Sequence, residues 1–336
     1  MKNRKRWVVL LALSTFMMFI VAVFFLQNSS NRNHEQVIIK NNWNSDSLNN
    51  YFYNHFNISL PFGLAFWAEK AGYKISSCKF YLPPKSNPYK IIRTLRENRN
   101  QTVNMVIIPG IWAESLAERI SSKLILNYRE IHDELVNPSL LLEYGFNDTT
   151  WPTLFIPNTY NISIGVSIEG FLDRMKAEQE LFWDSARISK LRNQKLNQLQ
   201  AVTIASLVQK ESNQKSEYKN IAGVYINRFR KGMKLQADPT IVFAKGKAER
   251  VRGKEDLFIN SPYNTYVHYG LPPGPICIPS IEAIDAVLNY DNHNYLYFCA
   301  KSDFSGFHLF ESNYERHKKN AAAFHRALNK EERRRK

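Results

Sequence analysis

The chain has 336 residues, 44% of them apolar and 13% aromatic, and a formal charge of +15. This composition excludes a disordered chain, and the length allows two modest domains with a sizeable core. The charge suits an anionic partner, whether nucleic acid, membrane surface or acidic polymer, without choosing among them.

Residues 1–6, MKNRKR, are basic, and residues 7–26 form an uncharged apolar run of 20 residues. A helix needs about 20 such residues to cross a bilayer core. A basic flank ahead of the span places the N-terminus in the cytoplasm. The sequence Leu26-Gln27-Asn28-Ser29-Ser30 that follows has no small-residue cleavage pattern. The expectation is one uncleaved transmembrane helix with the remainder outside the cytoplasm, which argues against nucleic acid as the partner.

Residues 27–50 are rich in Asn and Ser and read as a linker entering one short strand at Val37-Ile38-Ile39. Residues 51–102 read as a small α+β module. Its parts are a helix over 60–71, a strand over 74–81 stopped by Pro83-Pro84, and a helix opened by Asn87-Pro88 and running to about residue 98. Residues 103–330 form a larger, mainly helical region. A strand over 103–108 precedes helices over 113–124 and 128–136, then an aromatic and proline-rich loop over 151–160, then one long charged helix over 166–193.

The next helix carries the residue of most interest. Ile204, Leu207, Val208 and Glu211 recur at spacings of three and four, so a carboxylate shares a face with three core-type residues. A buried acid is costly unless it is paired or protonated. One reading is a carboxylate that caps or salt-bridges a neighbouring element. The other is a general acid that apolar surroundings keep protonated near neutral pH.

A helix over 218–230 follows and ends at Gly232. Segments 235–240, 261–266 and 270–275 are stiff loops displaying amides, hydroxyls and rings, the mixture that binds sugars and also the mixture of ordinary turns. Ser280 caps a helix to about residue 289, strands over 295–301 and 307–310 pair, a helix over 314–328 closes the domain, and residues 331–336 are a solvated basic tail. The three cysteines, Cys78, Cys277 and Cys299, give no disulfide framework and no CxxC spacing, although a Cys277–Cys299 bridge stays open. The eight histidines show no HExxH spacing, so neither a metal nor another cofactor is expected.

The pieces IASLVQKES (204–212), VYINRF (224–229), MKLQADPT (233–240), SPYNTY (261–266), GLPPGPI (270–276), YLYF (295–298) and HLFESNYERHKKN (308–320), in this order, resemble the endolytic murein transglycosylase, or YceG-like, family. The resemblance covers roughly residues 103–330, and the module before it is similar to the family's LysM-like subdomain. It implies an α+β protein with an N-terminal transmembrane helix, a small LysM-like α+β subdomain at 51–102, and a larger mainly helical catalytic domain with a small sheet at 103–330. It also implies a lytic transglycosylase of the plasma (inner) membrane. Such an enzyme cuts MurNAc–GlcNAc bonds within nascent peptidoglycan strands, leaves 1,6-anhydro-MurNAc ends and so terminates elongation. Peptidoglycan synthases or penicillin-binding proteins are its candidate partners.

The family's catalytic glutamate, the last acid of a V-E-K-E run, corresponds to Glu211. The first acid of that run is Gln209 here, which leaves Glu211 as the essential one. Asn227, Gln236, Asp238, Thr240, Tyr263, Asn264 and Tyr266 are the expected substrate-binding residues, with Tyr263 or Tyr266 stacking on the strand. The family's A-N-P-G after GLPPGPI is Cys277-Ile278-Pro279-Ser280, so a contact from that Asn is lost or replaced. Two rival readings are a non-catalytic wall-binding scaffold and a hydrolytic muramidase using Asp238 or Glu217 as a second carboxylate.

Overall fold

The computed structural model describes residues 2–40, 42–246 and 254–335. Met1 of the basic flank and Lys336 of the basic tail lie outside the described residues. The chain is α+β and mainly helical, and it divides into two compact units. The first comprises Met1–Met105, Arg119–Tyr128 and Tyr160–Gly170; the second comprises Val106–Glu118, Arg129–Thr159 and Phe171–Lys336.

The first unit opens with α1 (Lys2–Leu26), in which Arg6–Leu26 is long and apolar enough to cross a membrane. Strand β1 (Glu35–Ile39) is followed by α2 (Ser45–Phe56), α3 (Gly63–Lys70), β2 (Cys78–Leu82) and α4 (Pro88–Glu97). β1 and β2 are antiparallel with Val37 opposite Phe80 and Ile39 opposite Cys78. That register puts Val37, Ile39, Cys78, Phe80 and Leu82, all buried, on one face. Leu48, Phe52 and Phe56 of α2 and Ile91, Ile92 and Leu95 of α4 complete this core. Asn87 caps α4 through a 2.9 Å bond from the Lys90 amide, as the Asn-Pro signal predicts.

Helix α2 departs from the linker expected up to residue 50. Its polar face is Asn, Ser and Asp, which reads as linker composition. What makes it a helix is the four-residue spacing of its three apolar residues and the cap from Asn44 to the Ser47 amide.

Strand β3 (Thr102–Ile107) precedes α5 (Ala113–Lys123), α6 (Tyr128–Val136) and α7 (Leu140–Glu143), and β4 (Asn158–Ser163) pairs with β3. The long helix expected over 166–193 is two helices, α8 (Ile168–Phe182) and α9 (Ser185–Asn193). The break is chemical: Asp184 accepts the Arg187 amide at 2.8 Å and starts a new helix, while Phe182 and Trp183 turn into the core.

The second unit is built on α10 (Gln198–Glu211), started by a capping box between Asn197 and Gln200. Every residue from Ala201 to Val208 is buried. The helix is therefore enclosed on all sides, rather than amphipathic as its one apolar stripe suggests. It packs against α11 (Tyr218–Arg230), α12 (Asp238–Ala244) and α13 (Ile281–Leu288). Asp238-Pro239 starts α12, with Pro in its first turn, where a loop is expected from the sequence. β5 (Tyr297–Ala300) and β6 (His308–Glu311) form an antiparallel pair. α14 (Tyr314–Arg335) continues through the expected basic tail as helix. Cys78, Cys277 and Cys299 are all free thiols.

Candidate active site

Glu211 is the last residue of α10, where the helix gives way to the extended Ser212. Its Oε2 accepts a 2.9 Å hydrogen bond from the hydroxyl of Tyr225 on α11. Burial is the largest influence on this carboxyl and pushes its pKa from 4.5 up to about 7. The Tyr225 hydroxyl opposes that shift, nearby Asp238 adds to it, and nearby Arg228 opposes it. The Tyr225 phenol is in turn raised well above 10, first by burial and then by the carboxylate it serves.

Arg228 lies one turn beyond Tyr225 on α11 and is only 8% exposed. Its guanidinium donates to the carbonyls of Leu296 at 2.6 Å and Leu235 at 2.9 Å and sits over the Tyr297 ring. It thereby ties α11 to β5 and to the segment that carries Gln236 and Asp238. Neither Tyr225 nor Arg228 stands out in the sequence as a site residue. The available signal was a Tyr between core positions Val224 and Ile226 and an Arg three residues beyond it on the same helix.

The expected binding residues divide by where their polar atoms point. Asp238 accepts a short hydrogen bond from the Tyr266 hydroxyl at the mouth of the site. Gln236 is exposed, holds a left-handed backbone at φ 51°, and accepts from Arg228 at 3.3 Å. Glu211, Tyr225, Arg228, Gln236, Asp238 and Tyr266 are thus linked by hydrogen bonds or by charge.

Thr240 and Asn264 do not reach that surface, because both are fully buried. The Thr240 hydroxyl donates to the Ala237 carbonyl and meets the Thr265 hydroxyl. Asn264 donates to the carbonyls of Leu257 and Ile259 and accepts the Tyr266 amide at 2.9 Å. Asn227 is half-buried, and its amide donates to the carbonyls of His293 and Tyr295. These three hold loops in place through their hydrogen bonds.

Tyr263 packs on Phe243 with ring centroids 4.6 Å apart and lines a hollow of about 340 Å³ with Trp112, Trp151 and Asp148. Glu211 does not line that hollow. Burial, aided by Asp148, raises the Tyr263 phenol to about 12.

Three further positions explain local sequence features. Gln209 stands between α10 and α13: its carbonyl accepts the Ser280 amide at 3.1 Å and its amide donates to Tyr218 at 3.2 Å. The glutamine therefore serves as an internal tie. Glu217 is 7% exposed and accepts both the His308 amide and its Nδ1 at 2.8 Å. Those bonds engage both of its oxygens and tie the start of α11 to β6. Gly274 is required by packing, since a Cβ there would lie 2.0 Å from the Thr149 carbonyl oxygen.

The YceG-like family model matches residues 37–323. Over 138 residues the chain is 39% identical to the endolytic murein transglycosylase of Bacillus subtilis (strain 168), covering 41% of this chain and 38% of that one. Over 171 residues it is 36% identical to the endolytic murein transglycosylase of Streptococcus pneumoniae (strain D39), covering 49% of this chain and 31% of that one. The matched segments thus span less than half the length of these curated relatives. A crystal structure of a yceG-like protein from Listeria monocytogenes shares the fold. It aligns with a TM-score of 0.57 at 24% identity over 86% of this chain and 99% of that chain.

Proposed function

The chain belongs to the YceG-like family, and on that premise we propose that it is an endolytic peptidoglycan lytic transglycosylase. In this reading α1 anchors it once in the plasma (inner) membrane, with the N-terminus in the cytoplasm and the catalytic region outside. It cuts MurNAc–GlcNAc bonds within nascent strands and so terminates their elongation. Residues 51–102 are the LysM-like module, residues 103–330 the catalytic domain, and peptidoglycan synthases or penicillin-binding proteins its partners.

The observation that carries the reading is Glu211, a carboxyl with a pKa near 7 and one oxygen held by Tyr225, while the neighbouring carboxylate of Asp238 is engaged by the Tyr266 hydroxyl. Hydrolysis normally requires two carboxyl groups, one for the leaving group and one for the nucleophile or its water. A lytic cut needs fewer, because the sugar supplies its own nucleophile. Glu211 delivers its proton to O4 of the leaving GlcNAc as the C1–O4 bond breaks. The C6 hydroxyl of MurNAc forms a new bond to C1, and the carboxylate takes the O6 proton. No water enters, and Glu211 ends as it began. A group with a pKa near the working pH performs both transfers most efficiently.

The Tyr225 hydrogen bond and the Arg228 charge steady the carboxylate between the two transfers, and Oε1 is the oxygen assigned to the proton. Asp238, Tyr266 and Gln236 bind sugar hydroxyls, and Tyr263 stacks on a more distant sugar. Asn227, Thr240 and Asn264 act as supports.

The test is to incubate the purified full chain with uncrosslinked glycan strands and to weigh the products. Anhydro ends from wild type, lost in Glu211→Gln, are the expected result. Reducing ends, heavier by one water, would replace this reading with a muramidase, with Asp238 or Glu217 as the second carboxylate.

A further inference from the structure

The first unit carries a hollow of about 580 Å³ whose wall includes Lys70 of α3, Arg93 and Arg96 of α4, and Arg99 just past it. Among the described residues Glu97 is the one acid in that wall, and it pairs with Arg93 at 2.7 Å. Four cations therefore face one carboxylate. Ile91 and Leu95 on the other face of α4 are buried in the core, so the charged face is the outward one.

Aromatic rings share this surface. Trp67 and Tyr89 line the same hollow. Phe66 sits beside Trp67 with ring centroids 5.3 Å apart, and Phe62 sits beside Phe66 at 5.4 Å. Phe62 is 68% exposed and holds a left-handed backbone at φ 66°, an unfavourable conformation for an aromatic residue. A side chain that serves only the core does not require that conformation.

The end of α1 sets the depth of this surface. Phe24 meets Trp67 edge to face at 5.1 Å, and Phe25 stacks on Tyr89 at 5.7 Å. The apolar stretch Arg6–Leu26 has 21 residues, about 31 Å of helix, which matches a hydrocarbon core of about 30 Å. With α1 across a bilayer, Phe24 and Phe25 reach one hydrocarbon boundary. Trp67 and Tyr89 then lie at the interface that indole and phenol rings favour. The cations of the same hollow lie at the depth of the lipid phosphates.

We propose that the α3–α4 face of the first unit is a docking surface for anionic phospholipid headgroups, whose phosphates sit among Lys70, Arg93, Arg96 and Arg99 beside the Trp67 and Tyr89 rings. Guanidinium groups match phosphate oxygens in pairs, and basic residues at a membrane surface add to its attraction one by one. The inference rests on the anchoring role of α1 and is independent of the chemistry at Glu211.

The full chain is placed in nanodiscs of phosphatidylcholine, alone or mixed with phosphatidylglycerol, and hydrogen exchange is followed in α3 and α4. The expected result is severalfold slower exchange of these helices in the anionic discs. That difference should be lost in Arg93→Glu/Arg96→Glu and in Lys70→Glu, with the β1–β2 sheet unchanged. Equal exchange in the two lipids, or protection that survives the charge reversals, overturns the proposal. Inorganic phosphate that protects equally in neutral discs would make this a free-anion site and overturn the lipid source. Failure of the chain to co-purify with discs would overturn the anchor itself, an outcome read separately from exchange.

Discussion

The Tyr225 hydroxyl donates a 2.9 Å hydrogen bond to Oε2 of Glu211, joining the end of α10 to the middle of α11. This bond favours the ionised carboxylate and holds its pKa below where burial alone would put it. Removing it in Tyr225→Phe should raise the Glu211 pKa. A hydrogen bond to a charged group contributes roughly 1.5–3 kcal/mol, or about one to two pH units. The alkaline limb of the pH–rate profile, centred near the wild-type pKa of about 7, should move up by about that amount. A limb that stays in place would show that Glu211 does not govern it.

Asp238 acts in the opposite sense. Its negative charge raises the Glu211 pKa, so Asp238→Asn should move the same limb to lower pH. The substitution also weakens the hydrogen bond from Tyr266. KM for glycan strands should rise, and Tyr266→Phe should raise KM as well. Shifts of the same sign in Asp238→Asn and Tyr225→Phe would contradict this electrostatic arrangement.

Glu211→Gln tests catalysis and stability together. Cleavage should fall by a factor of roughly 10²–10⁴. In the folded protein this carboxyl has a pKa near 7, against 4.5 for the ordinary group. The unfolded chain therefore ionises first, and wild type loses stability as pH rises from about 4.5 to 7. The penalty approaches about 3 kcal/mol above pH 7. Glutamine does not ionise, so the variant should melt at the same temperature as wild type at pH 4 and several degrees higher at pH 8. A difference independent of pH would mean that the carboxyl is not desolvated.

Asn264→Ala should destabilise the fold. The side chain is fully buried and makes three hydrogen bonds to backbone, and removing it strands two carbonyls and one amide. A cost of about 2–4 kcal/mol is expected in urea titration. Gln236→Gly should instead raise stability by about 1 kcal/mol, because Gln236 sits at φ 51°, where glycine is unstrained. Equal melting temperatures for wild type and Asn264→Ala would show that this asparagine is not a support.

Much of the fold was legible because its signals are local. An uncharged run of bilayer length marks α1, Asn87-Pro88 opens α4, and Ser280 caps α13 by accepting the Ala283 amide. Glu211 stood out as a candidate for the same reason, since an acid on an apolar stripe is a contradiction visible in four residues. Local signals also misled. The polar face of α2 reads as linker, and the cap at Asp184 is hidden within a continuous charged stretch.

By itself, then, the sequence determined the apolar α1 helix, the order of most of the elements and the identity of the candidate acid. Only the tertiary structure decided what that acid can do. Its pKa depends on Tyr225, Arg228 and Asp238, which lie 14, 17 and 27 residues farther along the chain and meet it only once α11 and α12 pack against α10. The same packing decided that Asn227, Thr240 and Asn264 turn inward while Asp238 and Tyr266 meet at the surface. An amide or hydroxyl in a turn has the same sequence whether it faces solvent or core. Burial and the direction of its hydrogen bonds are set by the elements folded around it.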